Sequence, residues 1–317
     1  MGKSKYDEPM NVLIIDDVHP LLLDFFEKKQ IHYTYLPNCS KEEVYSLIGE
    51  YEGLVVRSKI YVSRELLTKA SKLVWIARAG SGMDNIDVQT AQEKNIVLLN
   101  APEGNRDAVA EHCLGMLLSL LNKIHTAHQE VKQKIWQREA NRGMELKGKT
   151  FGIIGYGNTG RELARRLSNF GCRVLAYDYK ENLPSDTFAE MVSLQFLQQE
   201  ADIISLHVSL NEKSRMMLNK NFIEKCSKKF VLLNTSRGEV ADLEAILWGL
   251  QEKKILAAGL DVLENEKLNS LSPEQEKVFQ ALAATPNVLL TPHVAGWTQE
   301  SYKKISEVLA QKIVQLL

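Results

Sequence analysis

The chain is predicted to be an α/β protein built on two doubly wound parallel sheets. Three observations predict this. Short apolar β-like runs alternate with helix-like segments through the first hundred residues. The same alternation starts afresh at Thr150. The new start carries a glycine-rich turn between a strand and a helix.

In the first stretch the β-like runs are 12–15, 54–56, 73–77 and 96–99, with helical segments such as 20–29 and 41–50 between them. Residues 105–138 read as largely helical, and 111–124 are apolar enough to be buried, between domains or at a subunit interface. From Thr150 six strands are expected, at 150–154, 173–177, 203–207, 230–234, 256–259 and 288–290. Residues 268–284, polar and then amphipathic, read as an insertion. The last run, 299–317, places Tyr302, Ile305, Val308, Leu309, Ile313 and Leu316 at helical spacing.

The glycine turn is Gly155-Tyr156-Gly157-Asn158-Thr159-Gly160. Gly155 permits the tight turn, Gly157 lets the backbone approach a pyrophosphate, and Gly160 lets helix and strand pack closely. The free N–H groups and positive dipole end of the following helix then face the phosphates. Asp178 ends the next strand, where a carboxylate accepts hydrogen bonds from a ribose diol and repels a 2′-phosphate. NAD is therefore expected rather than NADP, with Lys180 close enough to weaken the preference. The first unit lacks this device. Its first strand runs into Asp16 and Asp17, two carboxylates that would repel a pyrophosphate, which makes it the candidate substrate domain. That acidic pair is similar to one in phosphorelay receiver domains, but Arg57 stands where such a domain needs an aspartate.

Bulk properties exclude several classes. Hydrophobic residues make up 44% and charged residues 25%, ordinary values for a globular protein, and the formal net charge of −1 gives no basic field for nucleic acid. The 7 histidines are scattered. Cys39, Cys113, Cys172 and Cys226 form no C-x-x-C pair, so no metal is expected and reduced thiols in a cytoplasmic protein are. Residues 1–10 are polar and lack the apolar core of a secretory signal; Tyr6 stands where myristoylation wants Ser or Thr. No apolar run reaches bilayer-spanning length.

Three strand ends of the second unit carry reactive side chains, where ligands of doubly wound sheets collect. Arg237 lies in Asn234-Thr235-Ser236-Arg237-Gly238, and a guanidinium grips a carboxylate with two parallel hydrogen bonds. Asp261 ends the next strand, with Glu266 in the loop beyond. His293 follows Pro292 and precedes Gly296; histidine titrates near neutral pH and suits a proton relay.

These segments resemble those of the D-isomer-specific 2-hydroxyacid dehydrogenases, over nearly the whole chain. The early segments Val56-Arg57-Ser58, Gly80-Ser81-Gly82-Met83-Asp84 and Asn100-Ala101-Pro102-Glu103-Gly104-Asn105 are similar too, and the nearest branch is the 3-phosphoglycerate dehydrogenases. The resemblance implies a Rossmann cofactor domain, 106–296, inserted in a flavodoxin-like substrate domain, 1–105 with 297–317, and substrate in the cleft between them. It implies an Arg237–Glu266–His293 catalytic set: Arg237 binds the carboxylate, His293 carries the proton, and Glu266 fixes the imidazole tautomer. Backbone N–H groups of Gly80, Ser81 and Gly82 would hold the other carboxylate oxygen. Asn158 and Thr159 would face the pyrophosphate, and Asp261 the nicotinamide. His207, Val208, Ser209, Thr235, Ser236 and Gly296 would line the cofactor.

Several positions depart from the family pattern. Lys267 replaces a usual proline and the insertion lengthens the loop after Glu266, which leaves Glu264 as the alternative partner of His293. Ser209 also replaces a proline. Asn158-Thr159 replaces a common Arg-Ile pair, so phosphate contact falls to backbone groups. Arg57 and Arg78, each ending a strand-like run, would hold a phosphate if both face the cleft. Oxidation of 3-phosphoglycerate to 3-phosphohydroxypyruvate, in serine biosynthesis, is then expected. Reduction of hydroxypyruvate, glyoxylate or another 2-oxoacid is the alternative, and an NAD-responsive corepressor the non-enzymatic one. The resemblance also implies a homodimer through the cofactor domain. The chain ends soon after His293, so a short form without a C-terminal regulatory domain is expected.

Overall fold

The computed structural model describes residues 10–180 and 183–316. The expectations for residues 1–9 and 317 lie outside the described residues. The chain forms two compact units, Met1–Asn105 with Trp297–Leu317, and Arg106–Gly296.

The first unit holds strands β1 (Asn11–Ile14), β2 (His32–Tyr35), β3 (Gly53–Val56), β4 (Trp75–Arg78) and β5 (Val97–Asn100), all parallel in the order β2-β1-β3-β4-β5. Alternation along β1 sends Val12 and Ile14 to one face and Leu13 and Ile15 to the other. The first face is covered by Leu22 and Phe26 and, from the end of the chain, by Ile305, Leu309 and Ile313 of the helix Gln299–Val314. Thr298 and Ser301 close a capping box at the start of that helix. The second face packs on Leu66 and Leu67 of the helix Arg64–Lys69. Strand β2 was not anticipated. It is an edge strand whose residues, His-Tyr-Thr-Tyr, are exposed or only half-buried, so no apolar run marks it.

The second unit holds β6 (Thr150–Ile154), β7 (Arg173–Tyr177), β8 (Glu190–Met191), β9 (Ile203–Leu206), β10 (Phe230–Asn234), β11 (Ile255–Leu260) and β12 (Val288–Leu290). They are parallel in the order β12-β11-β10-β9-β6-β7-β8, one more than the six expected. The extra strand, β8, has two residues and lies at an edge, too short for any periodicity to show. The helix Pro102–Leu121 sends Cys113, Met116, Leu117 and Leu120 into this unit's core, against Phe151, Ile153, Val231 and Leu233. The buried stretch expected at 111–124 thus serves the second unit's own core, and its last residue, Ile124, is exposed. The insertion forms a 3₁₀ turn, Leu268–Ser270, and a helix, Pro273–Ala283, with a capping box at Ser272.

Each sheet reverses its strand order once, between β1 and β3 in the first and between β6 and β9 in the second. A crevice opens at the carboxyl ends of the strands at such a point. Asp16 and Arg57 follow β1 and β3; Gly155 and His207 follow β6 and β9.

Candidate active site

In the second unit, Gly155 has φ +98°, and a Cβ there would come within 2.5 Å of the His207 carbonyl oxygen. Only glycine fits both demands. A Cβ on Gly160 would meet the Gly155 oxygen at 2.1 Å, so the helix Asn158–Leu167 sits directly on the turn. Gly157, at the N-cap, has nothing within 4 Å of its missing side chain. Asp178 accepts hydrogen bonds from the N–H groups of Tyr156 (2.8 Å) and Lys180 (3.0 Å), which fixes its carboxylate beside the turn.

Two buried polar residues brace the loops beyond β10, β11 and β12, Asn234 within its own loop and Asp261 across the loops after β11 and β12. Asn234, 1% exposed, donates to the Arg237 carbonyl and accepts from the N–H and hydroxyl of Ser236. Arg237 Nη1 in turn donates to the Ser236 carbonyl at 2.6 Å. Asp261, also 1% exposed, accepts from the Thr291 hydroxyl (2.6 Å) and from the N–H groups of Val294 and Ala295 (both 2.9 Å). Its carboxylate is turned into its own loops, where it braces the turn around His293. His112 Nε2 lies 3.1 Å from the Thr291 hydroxyl and 3.6 Å from Asp261.

His293 adopts φ +54°, the left-handed region, and its N–H donates to the Asp261 carbonyl at 2.7 Å. A non-glycine residue held there carries a cost of about 1–3 kcal/mol, which the surrounding hydrogen bonds offset. Its Nδ1 lies 2.9 Å and 3.0 Å from the two oxygens of Glu266. Glu264 points elsewhere: it accepts from the Leu243 N–H at 2.7 Å. The choice left open by the sequence is therefore resolved geometrically in favour of Glu266 as the neighbour of His293. His207 Nε2 meets the Ser205 hydroxyl at 2.8 Å, while its buried Nδ1 has no hydrogen-bond partner. Burial lowers the His207 pKa to about 4. Ser205 and Thr235 flank the Cys113 thiol, whose pKa burial raises to about 11.

In the first unit, the Arg57 guanidinium stacks 3.6 Å over the Trp297 ring. Asp16 Oδ2 accepts from the Arg57 N–H at 2.6 Å, pinning the turn after β3 to the end of β1. Asp17 accepts from the phenols of Tyr35 and Tyr302, 3.2 Å and 2.7 Å away. Burial lowers the Arg57 pKa, and Asp16, Tyr302 and Asp17 oppose that shift. The acidic pair is thus a structural joint. Arg78 folds onto the glycine loop, and a Cβ on Gly80 would fall 1.6 Å from its Nη1. The Gly80 N–H donates to the Arg78 carbonyl at 2.8 Å, so of the three N–H groups expected to hold a carboxylate, that of Gly80 is already engaged. Ser81 hydrogen-bonds Asn105 and accepts from Asn100.

Residues 114–295 match the family model described as D-isomer specific 2-hydroxyacid dehydrogenase, NAD binding domain. A hydroxypyruvate reductase of Thermotoga maritima is 39% identical over 280 residues, 88% of this chain and 89% of that one. The chain belongs to the D-isomer specific 2-hydroxyacid dehydrogenases.

The dehydrogenase is also 32% identical, over 97% of its length, to D-3-phosphoglycerate dehydrogenase of Archaeoglobus fulgidus, of which it spans 57%. A crystal structure of D-lactate dehydrogenase from Aquifex aeolicus, complexed with NAD and lactic acid, matches it with a TM-score of 0.82 at 27% identity, covering 96% and 95% of the two chains. The dehydrogenase is an NAD-dependent oxidoreductase acting on CH–OH groups. Its residues fit that cofactor: the open space over Gly157, the exposed helix start and the fixed Asp178 carboxylate form a cradle for a pyrophosphate and a ribose diol. Among the described residues no group of three or more His, Cys, Asp or Glu could hold a metal ion, and no helix is long and apolar enough to cross a membrane. Sequence reasoning missed the bracing by Asn234 and by Asp261. The available signal was a polar residue closing an otherwise apolar strand, which must find partners if it is buried.

Proposed function

We propose that this dehydrogenase reduces hydroxypyruvate to D-glycerate, consuming NADH and a proton. The observation that carries the chemistry is the Glu266–His293 pair, an imidazole held by a carboxylate at 2.9 Å on a backbone fixed beforehand. When bound, NADH supplies a hydride to C2 of the 2-oxoacid. His293 holds a proton on the ring nitrogen that does not face Glu266 and passes it to the C2 oxygen. Glu266 accepts from Nδ1–H, which fixes the ring and its tautomer. Arg237 binds the substrate carboxylate, helped by the N–H groups of Ser81 and Gly82. Oxidation of the alcohol runs the same steps in reverse.

Arg57 is the proposed contact for the C3 end of the substrate. Asp16 and Asp17 lie close enough to affect its titration. Their negative field favours an uncharged C3 hydroxyl over a phosphate dianion. The 39% identity to a hydroxypyruvate reductase over most of both chains supports the same choice. Oxidation of 3-phosphoglycerate is the second reading, favoured by the arginine pair Arg57 and Arg78 and by the relatives that carry that name. We further infer a cytoplasmic homodimer. Ile124, Val131, Trp136 and Met144 leave apolar surface exposed within residues 124–144 of the second unit, Trp136 at 78%, which a second copy would cover. Light scattering giving the mass of one chain would reject the dimer.

Steady-state rates with hydroxypyruvate, glyoxylate and 3-phosphohydroxypyruvate, each with NADH and NADPH, test the substrate. Hydroxypyruvate with NADH is expected to have the highest kcat/KM, and His293→Ala to cut kcat by about 10²–10⁴-fold while NADH still binds. A higher kcat/KM for the phosphorylated acid, lost selectively in Arg57→Ala, would replace the first reading by the second. Wild-type turnover in His293→Ala would reject the proton relay.

A further inference from the structure

The insertion that sets this chain apart in the sequence builds a recess inside the second unit. It lies between the helices Leu243–Gln251 and Pro273–Ala283 and encloses about 450 Å³ of empty space, part of it open to solvent. Sites for small molecules are mostly apolar with a few placed polar groups. Leu243, Leu263, Leu271 and Phe279 supply the apolar wall here.

The charged groups are all of one sign, beside the neutral amides of Asn265 and Gln275. Glu244, Glu264 and Glu274 line the recess. Glu264 is half-buried. Burial raises its pKa, the hydrogen bond from Leu243 lowers it, and the charges of Asp242, Glu244 and Glu239 raise it further. Among the described residues, none of these five acids forms a salt bridge with a lysine, arginine or histidine. An apolar recess with an uncompensated negative field complements a cation that carries hydrocarbon.

The recess also touches the supports of the reacting groups. A Cβ on Gly238 would fall 1.8 Å from the Leu263 carbonyl oxygen, so the turn that carries Arg237 lies against the wall. Glu266 follows Glu264 by two residues, and Asn265 between them donates to Gln275 of the opposite helix at 3.2 Å. Whatever spreads the two helices pulls on the loop that holds Glu266.

We propose that this recess binds a small amphipathic cation, a primary ammonium bearing a branched or aromatic hydrocarbon group, and that its occupation displaces the Glu266–His293 pair. The ammonium meets Glu264 and Glu244, and the hydrocarbon covers Leu271 and Phe279. Only the consequence for catalysis rests on the reading of His293 as proton carrier.

The test titrates 2-phenylethylamine into the full chain, followed by calorimetry and by NMR of the histidine Cε1–H signals, with His293→Ala assigning the His293 signal. Saturable one-to-one binding with a dissociation constant on the order of 1 mM is expected, with the His293 signal moving along the same curve. The neutral 2-phenylethanol should bind about fivefold more weakly, and Glu264→Gln should reduce the amine to the level of the alcohol. Leu271→Trp, which fills the recess, should abolish both; retained NADH binding shows that either variant is folded. No saturable binding, equal binding of amine and alcohol, or an amine indifferent to Glu264→Gln would overturn the site. Saturation with an unmoved His293 signal would overturn the coupling. None of these readouts uses turnover, so a wrong substrate assignment leaves them intact.

Discussion

The two sheets are built on one plan and diverge at the turn after their first strands. After β6 the chain turns through Gly155, leaves Gly157 open and starts a helix. After β1 it runs into Asp16 and Asp17, and Asp16 turns inward to hold the N–H of Arg57. The crevice of the second sheet stays free for an anion, and the crevice of the first is closed by its own carboxylate. The βα unit therefore sets only where a ligand can bind; the residues of one turn decide whether it becomes a nucleotide cradle or a joint.

Gly157→Asp puts the first unit's chemistry into the second and carries the largest expected effect. Nothing stands within 4 Å of the new Cβ, φ is −89°, and aspartate is a favourable N-cap, so the variant should be as stable as the parent. Its carboxylate should weaken NADH binding by about 100-fold, read from nicotinamide fluorescence. Unchanged affinity would mean that the pyrophosphate does not meet this turn.

The residues across each reversal sharpen the contrast. Arg57 keeps its charge beside Asp16, whereas His207 is held neutral by burial, its pKa lowered from 6.5 to about 4. Above about pH 6.5 neither the folded nor the unfolded chain protonates His207, and its full contribution to stability is present. As pH falls, the unfolded chain takes up a proton that the folded ring refuses, so stability is lost on the way down to pH 4. The loss should reach about 2 kcal/mol by pH 5. Melting curves of the parent and His207→Asn at pH 7 and pH 5 should converge by that amount; parallel curves would show a ring open to water.

Asp16→Asn is the smallest of the three effects. It exchanges a charged acceptor for a neutral one at the Arg57 N–H and should cost about 1 kcal/mol of stability. NADH affinity should not change, and a change would mean that the first turn does more than join two strands.

Much of this could be read from the residues. Apolar strands bounded by turn residues gave the sheets nearly to their ends, and the glycine spacing located the cradle because Gly155 and Gly160 each answer a steric demand while Gly157 leaves the turn open. Arg237 and His293 could be picked out because each lies just beyond the end of a strand of a parallel sheet. What escaped depends on the path of the chain in space. Strand β2 is an edge without an apolar run, and β8 is two residues long. The pairing of His293 with Glu266 rather than Glu264 is set by how the loop after β11 bends, which two glutamates separated by one residue do not reveal. The engaged N–H of Gly80 and the brace of Asn234 follow from local turns, and the bracing role of Asp261 emerges only when loops from distant positions meet.

The closing helix has a consequence for assembly. Ile305, Leu309 and Ile313 complete a core whose other members, Val12, Leu22 and Phe26, leave the ribosome almost three hundred residues earlier. The second unit is one uninterrupted stretch and has all its parts by Gly296. The first unit must wait with one face of its sheet only partly covered while its neighbour is made, so the unit that is translated first is the one finished last.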